Sequence, residues 1–402
     1  MPTRDFFAFH VFTDRRQLNN LIIHNPALDM GSKLKLLSLS LITEEKEYGR
    51  AEYIKVVHRD TPQSEYVNQI IVPHKRLMEQ VGLLNGRPGD FSLLPEGTAW
   101  LRFEFTLKKP YISRDDAAFH ILDNPVRKDK VFKIPMMSAS SWKGNLRWMA
   151  GFQTIADWQP RPDLEAGPRE ARRRELITSW PQRRLRLLRL FGPEQKAAAD
   201  YFNKNLAILL NPGLSQELID KNEKEISGAE AEAVTAINNA FTDYLVRQGL
   251  PAGEDQGFRG RLHFFPTFFD AVDLEVINPH DRETGAGKLP IYFESVPAGA
   301  RGNFSLLYVP WDLMGCGDQE GLAAGVKADL CLVANAMVDL MLNYGFSAKK
   351  SSGFGVIEEE LSEGALTFKG LKEPGTLEKY EFSNLAALST HLKNLGEDHD
   401  AG

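Results

Sequence analysis

Asp123 is the residue around which chemistry could be built. It opens Asp123-Asn124-Pro125-Val126, where Pro125 keeps Asn124 out of the helical region and holds the aspartate on an extended loop. Downstream, Ser140-Ser141-Trp142-Lys143-Gly144 reads as a helix start, with a serine cap and backbone N–H groups facing outward. Such an N-terminus binds phosphate, and Lys143 adds a full charge to the partial one. Arg147 follows Lys143 by four residues, on the same helix face, where two like charges cost stability unless something anionic lies opposite. A carboxylate beside a phosphate cradle is what phosphodiester chemistry would use, and the arrangement points to RNA. On residue types alone, Asp123 also reads as a turn residue bonded to nearby amides, and Ser140, Ser141 and Lys143 as an ordinary cap with a surface lysine. Asp115 and Asp116 lie close by and read as solvated loop acids.

Further cations sit at two other places. Lys349-Lys350-Ser351-Ser352-Gly353-Phe354-Gly355 reads either as a turn between helix and strand or as a loop whose small residues admit RNA phosphates. The Gly-Lys-Ser order of a Walker loop is absent, so nothing here supports an ATPase. Arg183, Arg186 and Arg189 form an i, i+3 stripe with no acid inside the run. That stripe suits a phosphate backbone or an acidic neighbour, and a solvated helix face is the plainer alternative. Phe119, His120 and Ile121, just before Asp123, offer stacking surface. His280 and Asp281 lie in a polar, glycine-bearing protrusion over 278–288.

These residues need a scaffold, and the composition supplies one. At 402 residues the chain exceeds a typical domain of about 100–200, so two units or one decorated domain are expected. Hydrophobic residues make up 43% and charged residues 25%, ordinary for a globular protein with an ample core. The net charge of −6 means that nucleic-acid binding needs a local basic face. Cys316 and Cys331 have neither metal-ligand nor disulfide-framework spacing, which suits a reducing compartment. The opening residues lack the apolar run of a signal peptide, and no run approaching the roughly 20 residues of a bilayer span is read. A soluble, cytoplasmic protein with no membrane partner is expected.

The alternation in Trp100–Leu107 predicts a half-buried strand, and Ser141–Phe152 a helix. Lys33–Leu41 reads as a strand and Tyr66–Val81 as a short helix. Residues 153–257 form a mainly helical insertion, Arg261–Thr267 and Phe304–Val309 read as strands, and Lys327–Leu342 is the clearest helix, with Gly345 as its C-cap. Three regions follow: an N-terminal extension (1–97), an α+β core (98–370) and a C-terminal tail (371–402) with a short helix near Ala386–Leu395.

Three ordered motifs resemble the RAMP superfamily, the guide-binding subunits of type III CRISPR effectors. The first is Asp123-Asn124-Pro125-Val126, then Arg127-Lys128, Ile134-Pro135 and Ser140 to Arg147; the second is Leu190-Phe191-Gly192 with Arg259-Gly260-Arg261-Leu262-His263-Phe264; the third is Lys349 to Gly355. One departure is that Met136-Met137-Ser138-Ala139 stand where the family has Gly after Ile-Pro, which implies a wider turn before the helix. Residues 1–97 match nothing in the family. The resemblance implies a ferredoxin-like (RRM-type) RAMP core and a crRNA-binding backbone subunit. Asp123 would then cleave the guide-complementary target RNA with a divalent metal, Mg2+, the RNA's own 2′-hydroxyl being the nucleophile. Ser140, Ser141, Lys143, Arg147, Lys349, Lys350, Ser351, Ser352, Gly353 and Gly355 would hold guide phosphates. Near 278–288 the family carries a hairpin thumb that wedges between bases. Partners would be crRNA, target RNA and other effector subunits. The alternatives are a capping subunit that binds RNA without cutting, a guide-processing endoribonuclease, and an RNA-free assembly protein.

Overall fold

The computed structural model describes residues 14–58, 64–84, 90–113, 120–157, 169–194, 196–210, 228–251, 259–277, 291–315 and 318–395. Asp115, Asp116, Phe119, Cys316 and the 278–288 protrusion with His280 and Asp281 lie outside these residues.

The N-terminal region is helical: α1 (Arg15–Leu18), α2 (Met30–Leu37), α3 (Lys46–Val57) and α4 (Val72–Gln80). The strand expected over Lys33–Leu41 is instead α2 running into a 3-10 turn, Ser38–Ile42. The Asp29 carboxylate caps α2, accepting from the Ser32 amide at 3.0 Å. The repeated Lys-Leu fits two periods, and burial of Leu34 and Leu37, three apart, selects the helical one.

The core begins with β1 (Ala99–Leu107), followed by β2 (Met136–Met137) and α5 (Ala139–Ala156). Helices α6 (Arg169–Phe191), α7 (Lys196–Leu210) and α8 (Gly228–Arg247) come next, then β3 (Leu262–Phe264), β4 (Thr267–Phe268), β5 (Asp273–Ile277), β6 (Ile291–Ser295) and β7 (Arg301–Tyr308). The chain ends with α9 (Gln319–Val338), β8 (Ile357–Lys369), β9 (Leu377–Phe382) and α10 (Leu385–Asn394). The main sheet is antiparallel throughout, in the order β3-β7-β1-β8-β9. Two short pairs, β2–β4 and β5–β6, flank it.

In β1, Leu101, Phe103, Phe105 and Leu107 are buried, while Arg102, Glu104 and Thr106 are partly exposed. Phe103 faces Phe304 across the β1–β7 pair, with rings stacked at 5.1 Å. Helix α5 covers this face with Trp142, whose indole N–H donates to Thr267 Oγ1 at 2.8 Å and whose ring meets those of Phe304 and Phe346. Burying one such ring contributes about 1.5–3 kcal/mol. Helix α9 adds Leu330, Val333, Ala334 and Met337 and runs on through a π-helical turn to Gly345, whose φ of 78° ends it. By length and composition the Gln319–Tyr344 segment could cross a bilayer, contrary to the expectation that no such run exists. Here it packs against α5 and α10, and its buried Asp329 is ion-paired.

The C-terminal residues pack onto this core, with a helix where one was expected near Ala386–Leu395. β9 pairs with β8, and α10, capped by Asn384, buries Leu385, Leu388 and Leu392.

Candidate nucleic-acid interface

The Asp123 loop hangs between the N-terminal helices and β6. Asn124 bridges Phe293, and its carbonyl accepts from the Glu294 amide at 2.9 Å. The Glu294 side chain is fully buried beneath the loop. Its oxygens accept from Lys128 Nζ at 2.6 and 2.7 Å, from the Val126 amide at 3.0 Å and from the Tyr53 hydroxyl. Burial pushes the Glu294 carboxyl up, but Lys128, His120 and Tyr53 outweigh it and hold the group below the usual range. Burial also raises the Tyr53 and Tyr66 phenols, and Glu294 raises them further.

Asp123 itself is 71% exposed, yet it is not a free carboxylate. Arg50, on α3, donates from Nη2 to both oxygens at 2.9 and 3.0 Å. The same guanidinium donates from Nε to the Ile121 carbonyl at 3.0 Å and from Nη1 to Glu47 at 3.3 Å. Among the described residues no three His, Cys, Asp or Glu side chains converge on a metal position. The donor set around Asp123, one carboxylate with both oxygens already on a guanidinium, does not fit a pre-built divalent-metal centre.

Helix α5 starts earlier than the Ser140-Ser141 cap expected from sequence. Ser138 is the N-cap; its Oγ accepts from the Ser141 amide at 3.2 Å and lies 2.9 and 2.8 Å from the Ser140 and Ser141 hydroxyls. The residues intervening after Pro135 supply this cap and the β2 strand. Lys143 is half-buried, which lowers its pKa, and Arg147 lowers it further. Arg147 does face an electronegative group, but that group is protein. Its Nη1 donates to the Pro193 carbonyl at 2.7 Å and its Nη2 to the Gly192 carbonyl, just past the end of α6.

The glycine-rich loop joins these parts. The Gly355 amide donates to the Pro110 carbonyl at 2.8 Å, and the Ile112 amide to Ser347 Oγ at 2.9 Å, which ties Gly355 and the preceding Ser347 to the segment that follows β1. Gly355 has φ 76°, and a Cβ there would lie 2.7 Å from the Ser347 amide nitrogen, so its glycine serves chain packing. A 3-10 turn, Lys350–Ser352, precedes Gly353 at φ 71°. Lys349 places its ammonium 4.2 Å from the Phe293 ring, beside Asn124, and Lys350 lies 4.6 Å from the Trp148 ring on α5.

The arginine stripe has acids after all, supplied by distant segments. Arg183 pairs with Asp157 at 3.3 Å, Arg186 with Asp329 at 3.6 Å and Arg189 with Asp312 at 3.2 Å. Between them, buried Arg184 pairs with Glu194 at 2.7 Å.

The two halves of the second motif meet: the Arg261 amide donates to the Arg189 carbonyl at 2.9 Å, and Gly260 lies directly against the Leu190–Gly192 backbone. Arg261 is buried and holds Asp312 at 2.6 and 2.7 Å, as well as Asp329. Beside it, Arg259 and His263 of the same motif meet Trp311, which sequence reading did not single out. Arg259 lies 5.6 Å over the Trp311 ring, Trp311 Nε1 is 3.5 Å from His263 Nε2, and the indole is 42% exposed. Burial lowers the His263 pKa, and the charges of Arg259 and Lys143 lower it further, which places both cations near this ring. Lys143, Arg259, Lys349 and Lys350 make no ion pair with any described carboxylate. A tryptophan just past the Phe304–Val309 strand, after Pro310, was the available signal.

No family model and no curated protein matches the chain. Solved structures similar to it include a chain of the type III-B Cmr-beta complex bound to cognate target RNA, at 12% identity over 86% of this chain and 93% of that one, with a TM-score of 0.36. The Csm3–Csm4 subcomplex of the type III-A CRISPR-Cas interference complex matches at 14% identity over 75% and 98%, with a TM-score of 0.32. Cmr6 from Pyrococcus furiosus matches at 14% identity over 65% and 97%, with a TM-score of 0.28. The chain is similar to type III CRISPR effector subunits.

Proposed function

We propose that this chain is a crRNA-binding subunit of a type III CRISPR effector, and that its Asp123 cleaves guide-complementary target RNA. The observation that carries the reading is convergence. The Asp123 loop and the Lys349–Gly355 loop, far apart in sequence, meet at Phe293, and Lys350 reaches Trp148 midway along α5; Lys349, Lys350 and Lys143, nearer the start of that helix, make no ion pair with a described carboxylate. Unpaired cations are what a phosphate backbone neutralises. The exposed Trp311 beside Arg259 adds a stacking surface for an unpaired base. Sequence choice would rest on guide–target pairing, with the protein reading backbone and shape. The order β3-β7-β1-β8, with α5 leaving β1 and α9 joining β7 to β8, supports a ferredoxin-like core. Other effector subunits would be its protein partners.

In the proposed reaction the 2′-oxygen of the target attacks the adjacent phosphorus, and Asp123 accepts the proton of that hydroxyl. The bond from phosphorus to the 5′-oxygen breaks, and that oxygen takes a proton from water. The products are a 2′,3′-cyclic phosphate and a 5′-hydroxyl. The donor set here, one carboxylate already held by Arg50, does not fit the divalent cation that the resemblance implies.

The test is Asp123→Ala in the assembled effector, with a second target carrying one 2′-deoxy nucleotide at the cut site. Cleavage should vanish in both cases while guide binding is retained. Wild-type cutting by Asp123→Ala would refute the assignment. A second reading, a capping subunit that binds RNA without cutting, is favoured by the hold of Arg50 on both Asp123 oxygens, and that result would select it.

A further inference from the structure

The N-terminal region carries none of the three motifs, yet it places a charged side chain on the residue proposed to cut RNA. We infer that Arg50 is a positioning residue for Asp123, and that the N-terminal helices are thereby part of the cleavage apparatus. The inference rests on the reading of Asp123 as the cleaving group.

The geometry is specific. One planar guanidinium reaches the Ile121 carbonyl through Nε at 3.0 Å and both Asp123 oxygens through Nη2 at 2.9 and 3.0 Å. It therefore fixes the loop backbone and the carboxylate rotamer together, which a single-point contact could not. Glu47, four-fifths exposed, orients the remaining arm of Arg50, whose own side chain is only 20% exposed. Helix α3 is pressed against the loop here, since a Cβ on Gly49 would lie 3.2 Å from Ile121 Cδ1. One turn further along α3, Tyr53 holds the underside of the same loop through Glu294 and Lys128.

The charge logic agrees with the geometry. A bare carboxylate repels the phosphodiester whose hydroxyl proton it must take, and like charges a few ångströms apart interact strongly where water is thin. A guanidinium bound to that carboxylate offsets the repulsion. Arg50 does not touch the reacting atoms in this arrangement; it acts through Asp123.

The experiment compares Asp123→Ala, Arg50→Ala, Arg50→Lys and the double alanine variant, each in the assembled effector, by single-turnover cleavage across target concentrations. Arg50→Ala should lower kcat by about tenfold to hundredfold, the scale of a misplaced catalytic group, and leave KM for target RNA within about twofold. Arg50→Lys, which keeps the charge and loses the two-point grip, should recover part of that rate. The double variant should cut no more slowly than Asp123→Ala alone, because one residue acts through the other. Wild-type cleavage by Arg50→Ala, alongside an inactive Asp123→Ala, overturns the positioning role and leaves the parent reading standing. Wild-type cleavage by Asp123→Ala overturns both. Should Arg50→Ala fail to assemble, Arg50→Lys decides: a rate between wild type and Asp123→Ala supports the role, and the wild-type rate overturns it.

Discussion

Replacing Lys128 with methionine tests whether the Asp123 loop rests on a buried charge. Lys128 Nζ lies 2.6 and 2.7 Å from the two oxygens of Glu294, whose side chain has no exposed surface. Methionine preserves most of the lysine stem and removes only the ammonium. The carboxylate left behind keeps the Val126 amide and Tyr53 hydroxyl as donors but loses its full positive partner. Removing one member of a buried pair costs about 3–5 kcal/mol, most of it the desolvation of the stranded ion. Urea denaturation would read that loss directly. Glu294→Gln in the Lys128→Met background removes the stranded charge, so the double variant should be more stable than Lys128→Met alone by about 1–3 kcal/mol. A loss below about 1 kcal/mol for Lys128→Met, or no recovery in the double variant, would refute the reasoning.

The pH dependence gives a sign that packing loss cannot mimic. In the wild type the Glu294 carboxyl is held below its unfolded value because Lys128, His120 and Tyr53 outweigh burial. A depressed carboxyl stabilises the fold above the ordinary carboxylate range, near pH 4.3, and that contribution is lost as pH falls through the folded value. In Lys128→Met the cation is gone and burial dominates, so the folded pKa rises above the unfolded one. The variant should then gain stability as pH falls from 7 toward 5, and the gap to wild type should narrow. A constant gap across that range would mean that methionine merely packs badly.

Two further outcomes separate the cations that bind RNA from those that hold the protein. Lys143→Ala combined with Lys349→Ala and Lys350→Ala should weaken RNA binding and flatten its salt dependence by about 0.7–0.9 in log–log slope for each lost phosphate contact, and an unchanged slope in a folded variant would remove these residues from the interface. Arg147→Ala should instead cost about 1–3 kcal/mol of stability, because the Gly192 and Pro193 carbonyls lose their donor, while the salt slope stays as in the wild type; a shallower slope would return Arg147 to the phosphate set.

What could be read from the sequence was what local chemistry decides. The alternation of Trp100–Leu107 and the apolar face of Lys327–Leu342 survive folding because burial acts on each element's own period. Lys33–Leu41 did not, because its repeated Lys-Leu satisfies two periods and only Asp29 and the packing of Leu34 and Leu37 choose between them. The helix cap shifted to Ser138 because several serines stand in a row, and backbone geometry selects among them. Tail residues Leu377–Phe382 looked irregular because an edge strand of mixed charge needs only its neighbour, β8, to form.

The interface was half legible, for a reason that lies in separation along the chain. Asp123 and the lysines announce themselves by type, but Arg50 reaches Asp123 across 73 positions and Tyr53 reaches Glu294 across 241. No period or spacing encodes such pairs. The same separation hides which charges are paired in a chain of net charge −6. Glu294 is consumed by Lys128, Asp329 by Arg261 and Glu194 by Arg184, each pair drawing its members from different segments. The stripe Arg183, Arg186 and Arg189 is spent in the same way, on Asp157, Asp329 and Asp312. Among the described residues, Lys143, Arg259, Lys349 and Lys350 are some of the cations with no carboxylate within ion-pair distance. Formal charge counts acids wherever they are; a phosphate responds to those that remain unpaired within about a Debye length, roughly 8–10 Å at moderate salt. On the proposed reading, the long-range ion pairs that build the fold thus also decide which cations remain available to a phosphate backbone.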